Sequence, residues 1–307
     1  MKVKSLFLSL ILVFSLAIPV TANQPEPELI PGGPTISGYN QKALISQEII
    51  EIEGIPVLFS VFNVDGLILE TTTILENTEN NVITPLFDEI QPLPDQFMYS
   101  LTDVLNQRLY EATGVRLPNY NTPNEPDSFL FDNYDGYENF ESFGYIELDP
   151  LLIGTQRGHH HRQTDGGIDN RLVRVEHWFD YNVFADLINA TVSLTSGGIR
   201  ASSPSRNAES LSMWDTITRG GTALNFSFPW AVSFSGTSTQ QIWRSPTVHN
   251  ANTVTWRWDR NISGAWIFTA TIVRDLVSIE TRADATFRVG NNVFGESARA
   301  HSIINTW

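Results

Sequence analysis

The chain has 307 residues, no cysteine and a formal net charge of −15 at pH 7. The absence of cysteine excludes disulfides, thiolate metal sites and cysteine nucleophiles, so we expect a chain of this length to be stabilised by a packed core. The negative charge argues against a nucleic acid partner, because phosphate binding needs a basic surface.

Residues 1–22 have the pattern of a secretory signal peptide. Lys2 and Lys4 precede an apolar run from Ser5 to Ala17, and compact residues lead to a cleavage site after Ala22. This run is too short for a membrane-spanning helix, which takes about 20 residues. The sequence therefore predicts secretion to the extracellular space, or to the periplasm if the host has an outer membrane, and argues against membrane contact.

The first part of the secreted chain is predicted to be a tail followed by a small α+β region. Residues 23–40 are rich in proline and glycine, which is typical of a flexible tail. Within residues 41–117, apolar runs bounded by turn signals predict strands at 49–53, 57–62 and 67–74. One helix is predicted near 95–113, because apolar residues recur at three- and four-residue steps and Gly114 can end a helix.

The second part is predicted to be all β. Residues 118–144 form an acidic linker rich in proline, asparagine and aromatic residues, which resists regular structure. From 145 to 307, segments such as 171–179, 190–195, 224–228 and 253–258 alternate in polarity between frequent turn signals. The predicted fold class is therefore mainly β, with a small N-terminal α+β region followed by an antiparallel β-sandwich or barrel.

Charge is divided unevenly along the chain. Residues 23–150 carry 22 acidic side chains against three basic ones, whereas residues 151–307 carry 14 arginines and 12 acids. One interpretation is an acidic surface that keeps the protein soluble, in a salty habitat for example. The other is intramolecular docking of the acidic N-terminal region on the arginine-rich C-terminal domain, since arginine pairs well with carboxylates.

The string Arg157-Gly158-His159-His160-His161-Arg162 invites a metal hypothesis. On a strand, His159 and His161 face the same side and can share one ion. A third ligand could come from His177, Glu176, Asp180 or His249, and three nitrogen or oxygen ligands suit zinc. The alternative is an exposed histidine loop, because two arginines flank the string and oppose a cation.

Two acidic segments, 132–136 and 165–170, suggest calcium binding. Calcium takes six to eight oxygen ligands and often uses Asp/Asn loops with a glycine at the turn. Neither segment has the spacing of an EF-hand, and the alternative is that Asp, Asn and Gly simply make turns.

All eight tryptophans lie in the second half of the chain. Trp256 and Trp258 share one face of a predicted strand and Arg257 lies on the other. Together with Trp243, these residues are candidates for binding a glycan or a protein, because flat rings stack on sugars and arginine donates to hydroxyl or carboxylate oxygens. The alternative is that the rings fill the core.

The sequence names no reaction. It contains no Gly-x-Ser-x-Gly elbow, no phosphate-binding Gly-rich loop with Lys-Ser/Thr and no His-Glu-x-x-His helix motif. We therefore favour a secreted, non-enzymatic protein that presents aromatic and arginine side chains to an extracellular ligand. A metal- or carboxylate-dependent hydrolase of extracellular polymers, with its site between His159 and Asp180, stays open. So does a membrane-acting toxin with amphipathic hairpins around 226–239.

Overall fold

The structure is a computed structural model. It describes residues 30–38, 42–77, 83–87, 93, 96–117, 143–147, 154–186, 189–219, 224–225, 233–234, 238–258, 268–273 and 276–305. The predicted signal peptide and most of the predicted linker lie outside these residues.

The larger of two β-sheets has nine strands, paired antiparallel throughout. Seven of them follow the spatial order β2-β3-β4-β15-β9-β8-β7, while β5 pairs with β4 and β16 with β9. Their bounds are β2 Lys42–Ile52, β3 Ile55–Val64, β4 Leu67–Asn77, β5 Thr84–Pro85, β7 Gly154–Gly166, β8 Val173–Ala185, β9 Asn189–Ser202, β15 Thr253–Trp258 and β16 Phe268–Val273.

The smaller sheet has seven strands in the order β1-β14-β10-β17-β18-β6, with β13 also paired to β10. Its pairs are antiparallel except for the parallel pair of β6 and β18. Their bounds are β1 Thr35–Ser37, β6 Phe143–Glu147, β10 Ala208–Arg219, β13 Ser238–Arg244, β14 Thr247–Ala251, β17 Leu276–Val289 and β18 Asn292–Asn305. Two short strands, β11 (Leu224–Asn225) and β12 (Ser233–Phe234), pair with each other.

The two sheets stack face to face over an apolar core. Side chains alternate along each strand, so one face of a sheet can be apolar. In β8, Val173 and Val175 point inward to the core, while Arg174 between them points outward. The largest core cluster draws on both sheets, with Leu211 and Phe287 coming from the smaller one. The sandwich expected from sequence is therefore confirmed.

A single α-helix among the described residues, α1 (Phe97–Thr113), covers the outer face of the larger sheet. Its apolar stripe packs Phe97, Leu101 and Leu105 on β2–β4. Gly114 ends it with a φ of 76°, a conformation that glycine adopts without strain. The predicted helix is confirmed, and no helix in the described residues is long and apolar enough to cross a bilayer.

The N-terminal strands belong to the same sheet as the C-terminal strands. β4 pairs with β15 over five residues, from Ile68↔Arg257 to Thr72↔Thr253. The boundary expected at residues 118–144 therefore does not separate two sheets. The predicted α+β region is instead one flank of the sandwich together with its covering helix.

Candidate functional site

The histidine string lies on β7, an edge of the larger sheet. Its neighbour β8 runs antiparallel, with His159 opposite Asp180 and His161 opposite Trp178. Because side chains alternate along a strand, His160 points between the sheets, whereas His159 and His161 point to the outer face. One short string thus contributes to two separate environments.

Between the sheets, five polar side chains form one continuous run of hydrogen-bond contacts, here called the interlayer chain. His160 Nε2 lies 2.6 Å from Ser302 Oγ, and the same hydroxyl lies 2.7 Å from His177 Nε2. His177 Nδ1 lies 2.7 Å from Thr281 Oγ1, whose hydroxyl donates to Asp215 Oδ1. All five residues are buried, so the chain joins the two sheets without solvent contact.

Burial sets the charge of the interlayer chain. It lowers the pKa of His160 to about 3, helped by the neighbouring His161, His159 and Arg162. It also lowers the pKa of His177 well below the usual value, and raises the pKa of Asp215 to about 7 against the opposing hydrogen bond from Thr281. A low-dielectric interior disfavours the charged form of each group, so both imidazoles are neutral at neutral pH.

On the outer face, His161, Glu176 and Arg200 form a buried ion cluster, here called the outer cluster. His161 Nε2 lies 2.9 Å from Glu176 Oε2, and Arg200 Nη1 lies 2.8 Å from Glu176 Oε1. The same Arg200 nitrogen donates to Asn106 of α1 at 2.9 Å. Burial alone would raise the pKa of Glu176, but Arg200 and His161 outweigh it and hold that pKa at about 2.

Gly198 makes room for the outer cluster. It lies opposite Trp178 in the β8–β9 pair, and a Cβ at this position would come within 2.3 Å of the indole ring. The ring can therefore lie flat over the glycine, with the Arg200 guanidinium 5.7 Å from its centroid. Trp178 is fully buried beneath Leu109 and Leu117.

One histidine of the string reaches solvent. His159 Nδ1 lies 2.9 Å from Asp180 Oδ1, and their side chains are 30% and 42% exposed. Asp180 orients the imidazole as a carboxylate does in general-base catalysis, but the other ring nitrogen, Nε2, is buried.

The structure does not bring the three predicted metal ligands together. His159 and His161 lie on the outer face, whereas His177 lies on the inner face with both ring nitrogens in hydrogen-bond contact with hydroxyls of the smaller sheet. His249 lies on β14 of that sheet, in contact with Ser37. Within the described residues there is no group of three His, Cys, Asp or Glu side chains placed to hold a metal ion.

The predicted calcium segments are only partly described. Asp165 forms a two-pronged ion pair with Arg174, at 2.7 and 2.8 Å, and residues 169–171 form a short 3-10 turn. The segment 132–136 lies outside the described residues.

The predicted ligand-binding tryptophans also need correction. Trp256 is 2% exposed within the core cluster between the sheets, so its ring is not presented to a ligand. Arg257 is buried on the outer face, where it pairs with Glu70 at 2.7 Å. The side chains of Trp258 and Trp243 lie outside the described part of the chain.

Exposed apolar residues, here called the end patch, lie where the β17–β18 hairpin turns, with Val293 on the opposite face of the hairpin from Val289 and Phe294. Val289, Val293 and Phe294 are 40%, 56% and 36% exposed there, and Ile168 in the neighbouring β7–β8 loop is 54% exposed. Arg171 lies 4.1 Å from the Phe294 ring centroid and pairs with Glu296 at 3.3 Å.

The end patch holds one aromatic ring beside an arginine, with three aliphatic residues, at positions that sequence reasoning missed. The available signal was Val293-Phe294, two adjacent apolar residues directly after a Gly-Asn-Asn turn, where an amphipathic strand allows only one to face the core. No protein-family model matches the chain, and no curated protein matches it.

Proposed function

We propose that the protein is a secreted, non-enzymatic binding protein that contacts an extracellular partner through the end patch. The observation that carries this proposal is the exposure of Val293, Phe294 and Ile168 together at one end of the sandwich. An aromatic ring with aliphatic neighbours and an arginine has the composition of a protein interaction centre.

The character of the patch favours a protein partner over a glycan. Sugar recognition uses flat aromatic rings ringed by hydrogen-bonding side chains, whereas three of the four exposed residues here are aliphatic. Arg171 is held by Glu296 and covers one side of the phenyl ring, so the ring offers limited area for stacking. A partner surface with its own apolar side chains satisfies this composition better.

The burial of the histidine-rich region also supports the non-enzymatic part of this proposal. The interlayer chain is closed to solvent, and the side chains of His161 and Glu176 are only 4% and 6% exposed. These groups lie where no substrate could reach them without unfolding, so they act on stability and specificity of the fold.

The test compares the wild-type protein with a Val293→Ser/Phe294→Ser variant. Both are immobilised and exposed to the culture fluid of the producing organism, and the dissociation constant of each identified partner is then measured. We expect the variant to lose at least about tenfold in affinity, since truncating each of two central interface residues costs about 1–2 kcal/mol and about 1.4 kcal/mol is tenfold.

The matched control is Phe184→Ser, which removes an aromatic ring of 53% exposure from β8. This variant should bind like the wild type. Equal affinity of the wild type and the Val293→Ser/Phe294→Ser variant for every partner found would contradict the proposal.

The hydrolase hypothesis keeps one supporting observation, the partly exposed His159–Asp180 pair. If it holds, the wild type releases soluble product from an extracellular polymer and His159→Gln abolishes that release. The toxin hypothesis rests on residues 226–239, most of which lie outside the described residues, and dye leakage from liposomes tests it.

A further inference from the structure

Asp215 and Thr281 are directly opposed on neighbouring antiparallel strands. The β10–β17 register pairs them, and both side chains face the interior, with exposed fractions of 3% and 0%. The Thr281 hydroxyl is hydrogen-bonded to the Asp215 carboxyl. Among the described residues no cation pairs with Asp215, so this buried acid has a hydroxyl rather than a charge as its partner.

An imidazole contacts the same hydroxyl from the other side. His177 Nδ1 lies 2.7 Å from Thr281 Oγ1, within the reach of a general base. Ser302 holds Nε2 of this ring at 2.7 Å and is itself held by His160. A carboxyl, a hydroxyl and an oriented base thus meet in a site from which water is excluded, which is the arrangement that acyl transfer needs.

We propose that Thr281 and Asp215 form an internal ester cross-link between β10 and β17, with His177 as the base. The sandwich would then contain a covalent cross-link that does not involve cysteine. This inference is independent of the binding function proposed above.

The step balances as a condensation. With Asp215 protonated, its carboxyl donates to Thr281 Oγ1, and the Thr281 hydroxyl donates to the unprotonated Nδ1 of His177. Thr281 Oγ1 then forms a bond to Asp215 Cγ while the hydroxyl proton moves to Nδ1 of His177. The tetrahedral centre then expels one carboxyl oxygen as hydroxide, which takes that proton back from His177 and leaves as water. The net change is one C–O bond formed, one C–O bond broken and one water released, with no oxidant, reductant or cofactor.

The surroundings favour each part of this step. Burial raises the pKa of Asp215 to about 7, which keeps much of the carboxyl in the protonated form that a nucleophile can attack. Burial also keeps His177 neutral and able to accept a proton. Fixed opposition of the two groups supplies the proximity that, in well-oriented intramolecular reactions, reaches effective concentrations of about 10⁵ M or more.

The structure also offers a place for the released water. A cavity about the size of one water molecule is lined by both His177 and Asp215, with Phe179, Leu194 and Ile217 closing it. Because Asp215, Thr281 and His177 are all buried, bulk water has little access to reverse the reaction by hydrolysis.

The test is mass spectrometry of the purified, untagged protein. We expect the intact mass to be lower than that of its sequence, with the N-terminus determined, by the mass of one water molecule. In a tryptic digest, the peptides 207–219 and 275–282, which carry Asp215 and Thr281, should appear joined and should separate on treatment with hydroxylamine. An intact mass equal to that of the sequence, with both peptides single, would overturn the proposal.

Variants separate the chemistry from folding. Thr281→Ser keeps the nucleophile and should remain cross-linked, whereas Thr281→Val should show the full mass. Asp215→Asn should reach the same final mass as the wild type, because the amide leaves as ammonia. His177→Gln keeps both reacting groups and should leave them unlinked in a folded chain; an equally complete cross-link in this variant would contradict the assignment of the base.

Discussion

The two faces of strands β7 and β8 use the same residue types in opposite ways. On the inner face, His160 and His177 are neutral and contact hydroxyls. On the outer face, His159 and His161 contact carboxylates at 2.9 Å. The outer face supplies Arg200 and a covering helix, whereas the inner face supplies Ser302 and Thr281. The role of a histidine in this protein is therefore set by the face of the sheet that it occupies.

The largest effect should come from the outer cluster. Replacing Arg200 with Met leaves Glu176 as a buried charge with only His161 beside it, and breaking such a pair from one side costs on the order of 3–5 kcal/mol in the free energy of unfolding. Urea denaturation measures this cost. The matched control, Arg200→Met combined with Glu176→Gln, should recover most of the loss; a single variant as stable as the wild type would show that the cluster does not stabilise the fold.

The pH dependence of stability should come from the inner face. The folded-state pKa of His160, about 3, lies below its ordinary value of 6.5, so protonation favours the unfolded state. The contribution of His160 to the free energy of unfolding is complete above pH 6.5. It is lost as the pH falls towards 3, by up to about 1.4 kcal/mol per pH unit.

The contribution of His160 to the pH dependence of the free energy of unfolding is measured by comparing the wild type with His160→Gln. The raised pKa of Asp215 makes stability fall as the pH rises, whereas the lowered pKa values of His177 and Glu176 make it fall as the pH drops, but these three groups are present in both proteins. The stability difference between wild type and variant should therefore shrink from pH 6.5 downward. A difference that stays constant with pH would contradict a neutral, buried His160, and His249→Gln on β14 serves as the control substitution.

The smallest effect is expected at the solvent-exposed pair. His159→Ala removes a contact to Asp180 between side chains that are 30% and 42% exposed. Partly exposed ion pairs contribute about 0–1 kcal/mol, because water competes for both partners. Thermal unfolding should shift by only a few degrees at most. A loss as large as that of Arg200→Met would mean that this pair, too, is buried in the folded protein.

The fold was more predictable from sequence than the site. Alternation in segments such as 171–179 and the apolar stripe of α1 depend on local periodicity, so the sandwich and the helix could be predicted. That His159 and His161 share a face follows from the same rule. That β4 joins β15 depends on long-range pairing, which periodicity does not encode.

The predictions for His177 and Trp256 were wrong because their placement also depends on long-range pairing. His177 is close to the histidine string in the sheet but faces the opposite side from His159 and His161, and only the register of β7 and β8 decides that. Trp256 alternates as expected, yet which of the two faces is covered depends on the second sheet. The opposition of Asp215 and Thr281 joins residues 66 positions apart, which no local pattern reveals.

The most direct test of the contrast between the two faces is nitrogen-15 NMR of the histidine side chains at about pH 5, where an ordinary imidazole is mostly protonated. His160 and His177, assigned by substitution, should each keep the spectrum of a neutral ring with one protonated nitrogen. Protonated spectra for both rings in the folded protein would contradict this expectation, because they would place these histidines in contact with water or a buried negative charge.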